Sequence, residues 1–332
     1  MKNFRAYLFI AMTLFITLTG CNKSNNNVDN NTNNNKSVKV GIAQFAPHGS
    51  LDNCVEGFKL GLAEGGYEEG KNLVIDYKNA QGDMASTYQI AKAIADANVD
   101  LMCAVATPMA QAAYNAVEGK VPLIYTAVTD PIAAKLANED GSYLDMVTGT
   151  SDKLPIDAQL QMIRALQPNA TSIGILYTTS ETNSVSAIEE YKAIAGDFGF
   201  TIIAQGISQG ADMPMAATDL VAKVDCVTNL TDNTVVNNLA VLLDAADKAN
   251  IPVYGSEIEQ VKNGCLAAQG LDYVELGKQT GLMAARILDG EDINNIPYKT
   301  ITEYSLYLNP DVLDNFDIEI PQDLINDVVE VS

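Results

Sequence analysis

Val38-Lys-Val-Gly-Ile-Ala43 is a short apolar run with one glycine near its middle, and Ser172-Ile-Gly-Ile-Leu176 repeats it about 130 residues later. Three more echoes follow in the same order. Ala80-Gln-Gly-Asp-Met84 returns as Ser208-Gln-Gly-Ala-Asp-Met213, Val99-Asp100 as Val224-Asp225, and Val121-Pro-Leu-Ile-Tyr125 as Ile251-Pro-Val-Tyr254. Each echo alone is weak, but an ordered set argues for a chain built twice. Between the echoes, strands alternate with helical segments. Strands are expected at 38–43, 73–77, 99–105 and 122–125, with helices at 51–65, 86–97 and 108–118. Such βαβ alternation implies parallel sheets covered by helices on both faces. The fold class is therefore α/β, with two doubly wound lobes. Beyond the second lobe, a strand at 265–269, a helix at 272–289 and an extended segment at 297–307 exceed what one lobe needs. The chain is expected to cross back between lobes there, giving several hinge strands.

The N-terminus sets the location. Lys2 and Arg5 precede an apolar run over residues 6–18, which is too short to span a bilayer, since about 20 residues are needed. Leu18-Thr19-Gly20-Cys21 ends it and resembles the bacterial lipobox, in which the cysteine sulfur is acylated and becomes the new N-terminus. Residues 1–20 are read as a lipoprotein signal and Cys21 as the lipidation site. Two acyl chains give a stable anchor where one does not. The Asn-rich tract to residue 37 has nothing to bury and reads as a disordered tether. The expected location is the extracellular face of the cell membrane.

The chain has 332 residues and a formal charge of −22, which becomes −24 without Lys2 and Arg5. Phosphate binding needs a basic surface, so nucleic acid is not an expected partner. Cys103, Cys226 and Cys265 lie in apolar runs and read as small hydrophobes. The single histidine, His48, has no partner histidine and no C-x-x-C occurs, so neither a metal nor another cofactor is expected. His48 reads as a loop hydrogen-bonder. No Gly-x-Ser-x-Gly elbow is present, so no catalytic residues are assigned and no enzyme is expected.

In open α/β sheets ligands bind beyond the carboxyl ends of the strands. The strand-end segments of the first lobe hold Gln44 and Phe45, Thr107, Pro108 and Met109, then Ala127, Val128, Thr129 and Asp130, and Gly149-Thr-Ser-Asp152. Those of the second hold Tyr177 and Asn183, then Thr231, Asp232 and Asn233, then Ser256 and Glu257, and finally Asp272 and Tyr273. Hydroxyls, amides and acids recur, while lysine and arginine are nearly absent. Carboxylates can pair a cationic group on a ligand. A ligand carboxylate can use free N–H groups at helix N-termini. Together these describe an α-amino acid, with Phe45, Met109, Tyr177 and Tyr273 available to wall an apolar side chain. Any one of these Thr, Asp or Asn residues is also a preferred helix cap. As a set, they place acids and hydroxyls at the strand ends of both lobes with cations nearly absent.

The lipobox, the duplicated lobes, Thr107-Pro108, Val128-Thr-Asp-Pro131 and Tyr254-Gly-Ser-Glu257 together resemble the ABC-transporter substrate-binding lipoproteins of the tryptophan/tyrosine-binding type. The resemblance spans residues 38–320. It implies a type I periplasmic-binding fold, with two Rossmann-like lobes, a three-strand hinge and a ligand held between them. The first lobe would comprise 38–149 plus about 272–297, and the second 150–271 plus about 298–332. It also implies a monomer that delivers an aromatic or apolar amino acid, of the tryptophan, tyrosine, phenylalanine and leucine class, to an ABC permease. By position, Thr107, Met109, Ala127 and Thr129 would face Asp232 and Asn233 across the ligand, with Asp272 meeting its ammonium. A sensing lipoprotein of the same fold, or a sugar ligand, are the alternatives.

Overall fold

The computed structural model describes residues 37–322 and 324–331. The signal segment, Cys21 and nearly all of the tether lie outside them. The described residues form one compact unit. It opens with β1 (Val38–Gln44), α1 (Gly49–Glu64), β2 (Leu73–Asn79), α2 (Met84–Ala95), β3 (Leu101–Val105), α3 (Thr107–Val117), β4 (Leu123–Thr126) and β5 (Val147–Ser151). The second half holds α4 (Ile156–Leu166), β6 (Ser172–Thr178), α5 (Thr182–Ile194), β7 (Thr201–Ile207), α6 (Met213–Val221) and β8 (Cys226–Thr228). It continues through α7 (Asn233–Asn237), α8 (Leu239–Ala249), β9 (Val253–Tyr254), α9 (Ile258–Lys262) and β10 (Ala267–Gly270). The chain closes with α10 (Tyr273–Leu288), β11 (Lys299–Thr300), β12 (Ser305–Leu308), α11 (Pro310–Leu313) and β13 (Val328–Glu330).

The first sheet is parallel throughout, in the order β11-β5-β4-β3-β1-β2. The second runs β7-β6-β8-β9, also parallel. Leu266 N–H to Val253 O (2.7 Å) and Gly255 N–H to Ala267 O (2.9 Å) join it to a β10-β12-β13 ribbon. Each sheet has its own buried core, one around β1–β4 and two flanking β6–β8. Three segments pass between the sheets: 152–155, 271–272 and 301–304.

The sequence echoes have physical counterparts. Gly41 and Gly174 sit at matching points of β1 and β6. A Cβ on the first would meet Ile94 Cγ2 at 2.2 Å, and on the second Leu220 Cγ at 2.9 Å. Both glycines let a helix lie down on its strand. Asp100 accepts the Lys39 N–H (2.8 Å) and Asp225 the Ser172 N–H (2.9 Å), each fixing the start of the first strand in its half. The carbonyls of Pro122 and Pro252 accept from Met102 and Val227 alike.

α10 follows the second crossing and packs on α1 along glycines. A Cβ on Gly57 would lie 2.0 Å from Val274 O, and on Gly277 2.0 Å from Cys54 O. Only glycine permits this approach. Gly149-Thr-Ser151, read above as a strand-end loop, is the buried strand β5. Gly149 stacks against Tyr125, where a Cβ would meet Tyr125 O at 2.2 Å, so the backbone is drawn into the sheet rather than turned out of it.

Candidate functional site

The carboxyl ends of the two parallel sheets face each other, and the loops there touch. Thr129 Oγ1 lies 2.9 Å from Thr231 Oγ1, Ser186 donates to Asp130 (2.6 Å), His48 Nε2 reaches Asn233 Oδ1 (3.2 Å) and Asn53 donates to Glu259 (3.0 Å). The lobes are closed on one another. Between them lies an inner cavity of about 20 Å3, and an outer cleft of about 300 Å3 adjoins it across the shared residues His48, Ser50, Val236, Glu257 and Gln260.

The first lobe lines the inner cavity with His48, Ser50, Leu51 and Ala127. His48 and Ser50 belong to the start of α1, where the N-cap side chain makes no capping bond. The N–H groups of that first turn are not consumed by a side chain and end a 16-residue helix at the cavity. Such an end favours anions. The first crossing contributes Asp152, and the first residue of α10 contributes Tyr273. Asp152 is 2 % exposed and accepts from Thr129 (3.0 Å) and from the Tyr273 hydroxyl (2.5 Å). Burial raises its pKa against those two donors.

The second lobe supplies Asn183, Thr231, Asn233, Val236, Glu257 and Gln260. Behind them stand two buried acids. Asp232 caps α7 through Val235 N–H (2.9 Å) and also accepts from Thr178 and Ser184. Glu181 accepts from the N–H and side-chain amide of Asn233, from Thr234, and from Asn183. Burial and the neighbouring Asp232 push Glu181 up to about 7. Glu257 caps α9 through Glu259 and Gln260 N–H, and burial lifts it to about 7. Among the described residues, no lysine or arginine lines either part of the cleft.

Of the residues singled out in the sequence, Ala127, Asn183, Thr231, Asn233, Glu257 and Tyr273 meet at the inner cavity. Thr129 stands one hydrogen bond behind it, and Asp130 sits at the rim, where it also caps Ile132 and Ala133 N–H. Ser256 is held by Gln260, and Asp232 is a satisfied cap rather than a cavity wall. The others lie elsewhere. Gln44 closes β1, bonding Ala46 O and Asp52, while Tyr77 donates to it. Phe45, Met109 and Val128 are in the first core, and Thr107 and Pro108 are buried at the start of α3. Tyr177 lies within β6, packed over Gly206. Asp272 is corrected: it is exposed and caps α10 through Val274 and Glu275 N–H, away from the cavity lining. Ser50 and Gln260 were not among the sequence candidates, His48 was read only as a loop hydrogen-bonder, and Asp152 stood in a strand-end segment with no role of its own. The signal for Asp152 is an acid closing the apolar and hydroxyl run Val147–Ser151; Gln260 carries none.

A family model described as ABC transporter substrate binding protein matches residues 39–332. A tyrosine-binding protein of Clostridioides difficile is 37% identical over 317 residues, covering 94% of this chain and 92% of the relative. An ABC domain from Streptococcus pneumoniae solved in complex with L-Trp is 31% identical, with a TM-score of 0.86 over 89% of this chain and 100% of that one. A ligand-free, open structure of a substrate-binding protein with adhesive properties from Clostridium difficile is 36% identical over the same shares but superposes at only 0.67. The lobe arrangement here follows the tryptophan complex despite its lower identity, in keeping with the hydrogen bonds across the cleft.

Proposed function

The chain belongs to the ABC transporter substrate-binding protein family, and from that premise we propose that it captures an aromatic amino acid between its lobes for an ABC permease. One observation carries the reading: the cleft has a fully buried carboxyl, Asp152, on a crossing segment, and no cation among its lining residues. A ligand's ammonium would supply the missing charge. Asp152 and the free Asn183 Oδ1, a buried acceptor with no partner, would receive it. The ligand carboxylate would sit on the N–H groups opening α1, beside Ser50 and Leu51. The side chain would extend into the outer cleft, toward Pro47, Val236, Leu239 and Ala240.

The inner cavity holds little more than a water in the closed form. Entry therefore needs the lobes to part, and a ligand contacting both lobes favours the closed state by its differential affinity alone. Tyrosine and tryptophan lead the ligand list because relatives at 37% and 31% identity are named for or solved with them. Acylation at Cys21 and the Asn-rich tract would leash a monomeric body to the outer face of the membrane. No catalytic step is proposed. Titration calorimetry of the mature protein with tyrosine, tryptophan, phenylalanine, leucine and a neutral sugar should give saturable heat with an aromatic amino acid. Silence with every amino acid would contradict capture.

A further inference from the structure

We propose that His48 is the specificity-determining residue of this cleft, its Nδ1 accepting the ring donor of the ligand, a phenol O–H or an indole N–H. The proposal rests on the amino-acid reading above and deepens it.

Hydrogen-bond accounting assigns the proton. Asn233 gives its amide Nδ2–H to the Glu181 carboxylate (2.7 Å), so its Oδ1 must be the atom facing His48. Oδ1 only accepts, so His48 Nε2 carries the hydrogen and Nδ1 is left as a bare lone pair. That Nδ1 is buried and has no partner. Burial also holds the imidazole below its usual pKa, which keeps the lone pair available at neutral pH.

Position supports a role at the side chain rather than at the main chain of the ligand. His48 lines both the inner cavity, with Asp152 and Tyr273, and the outer cleft, with Pro47, Leu239 and Ala240. It thus stands where the two cavities meet, on the path of any side chain that leaves the inner one. The charged donor of an amino acid is matched by a buried carboxyl, Asp152, which costs more to leave unpaired than a neutral ring nitrogen. His48 Nδ1 remains for a neutral donor. Tyrosine and tryptophan each carry one on the ring, and phenylalanine and leucine do not. The same imidazole spans the lobes through Asn233, so the ring it reads is bound only where closure has formed that bond.

A site built to bond a ligand hydroxyl or N–H rejects the analogue lacking it, because its own polar group is then buried unpaired. The expected discrimination is about 10- to 100-fold. The test is calorimetry on the mature protein with tyrosine, tryptophan and phenylalanine, for wild type and His48→Leu, with His48→Gln as a second variant. The half-buried position of His48 permits both substitutions, and melting curves check the fold. Wild type should bind the better of tyrosine and tryptophan about 10- to 100-fold more tightly than phenylalanine, and His48→Leu should erase that ratio, with loss of the closure bond to Asn233 weakening all three ligands alike on top of it. Equal wild-type affinity for phenylalanine would overturn the proposal while leaving amino-acid capture intact. So would a His48→Leu variant that keeps the wild-type ratio between the ligands, since the histidine would then act through closure alone. No binding of any of the three would overturn the capture reading and this proposal together.

Discussion

Asp225 gathers four donors on one oxygen: the N–H and hydroxyl of Thr171, and the N–H and hydroxyl of Ser172. The Thr171 N–H comes first among the causes that hold its carboxyl down at about 2. A depressed carboxyl stabilises above its unfolded pKa of about 3.9, and that contribution is lost as pH falls toward 2. Asp225→Ala should lower stability at pH 7 by about 1 kcal/mol after allowing for solvent screening, and by less at pH 2. Chemical denaturation at the two pH values checks this. Glu181 and Glu257 work in the opposite sense. Their folded pKa values near 7 exceed the unfolded value, so the native state binds the extra protons between about pH 4.5 and 7. Stability therefore falls as pH rises through that window. Glu181→Gln and Glu257→Gln should each lose part of the wild-type fall in Tm between pH 5 and pH 8, against which the lowered pKa of His48 works, and a fall unchanged in both variants would contradict the burial of these acids. Asp152 belongs to the ligand rather than to the fold in this account. Asp152→Asn should weaken binding about 100-fold or more while shifting Tm little, as calorimetry and melting curves on the same sample would tell.

Among the elements, the α1–α10 contact is the tightest joint. A Cβ on Gly61 would fall 2.2 Å from Lys278 O, and on Gly281 2.2 Å from Phe58 O. Neither backbone can retreat without separating the helices. Gly61→Ala should cost about 1–3 kcal/mol or more, roughly several degrees in Tm. Gly196→Ala, where the new carbon meets nothing within 4 Å, should be neutral or slightly stabilising. Equal effects from the two would deny that packing is the cause. The elements were the legible part of the chain. Gly41 and Gly174, Asp100 and Asp225, Pro122 and Pro252 lie in local patterns, and each pattern does the same job twice. The site was less legible because capping and ligand binding use the same residue types at the same positions. Asp272 and Asp232 read equally well as either, and both proved to be caps. Asp152 closes a hydroxyl-rich strand in the sequence. Only the arrival of Tyr273 from the start of the remote helix α10, and of Thr129 from the neighbouring loop, marks it as a buried acid at a cavity.

For the whole molecule, closure sums small terms. Thr129 with Thr231, Ser186 with Asp130, His48 with Asn233, and Asn53 with Glu259 are single hydrogen bonds across the lobes. Each contributes about 1 kcal/mol net, so none alone decides the balance between open and closed lobes. A ligand that adds a buried charge pair at Asp152 tips that balance. The central claim is that a zwitterion spans this cleft, touching both lobes at once. A crystal structure of the mature protein grown with the aromatic amino acid that binds best tests it most directly. The account predicts the ligand enclosed between the lobes, its ammonium at Asp152 and its carboxylate at the first turn of α1. A ligand held by one lobe alone, or bound outside the cleft with Asp152 untouched, would contradict it.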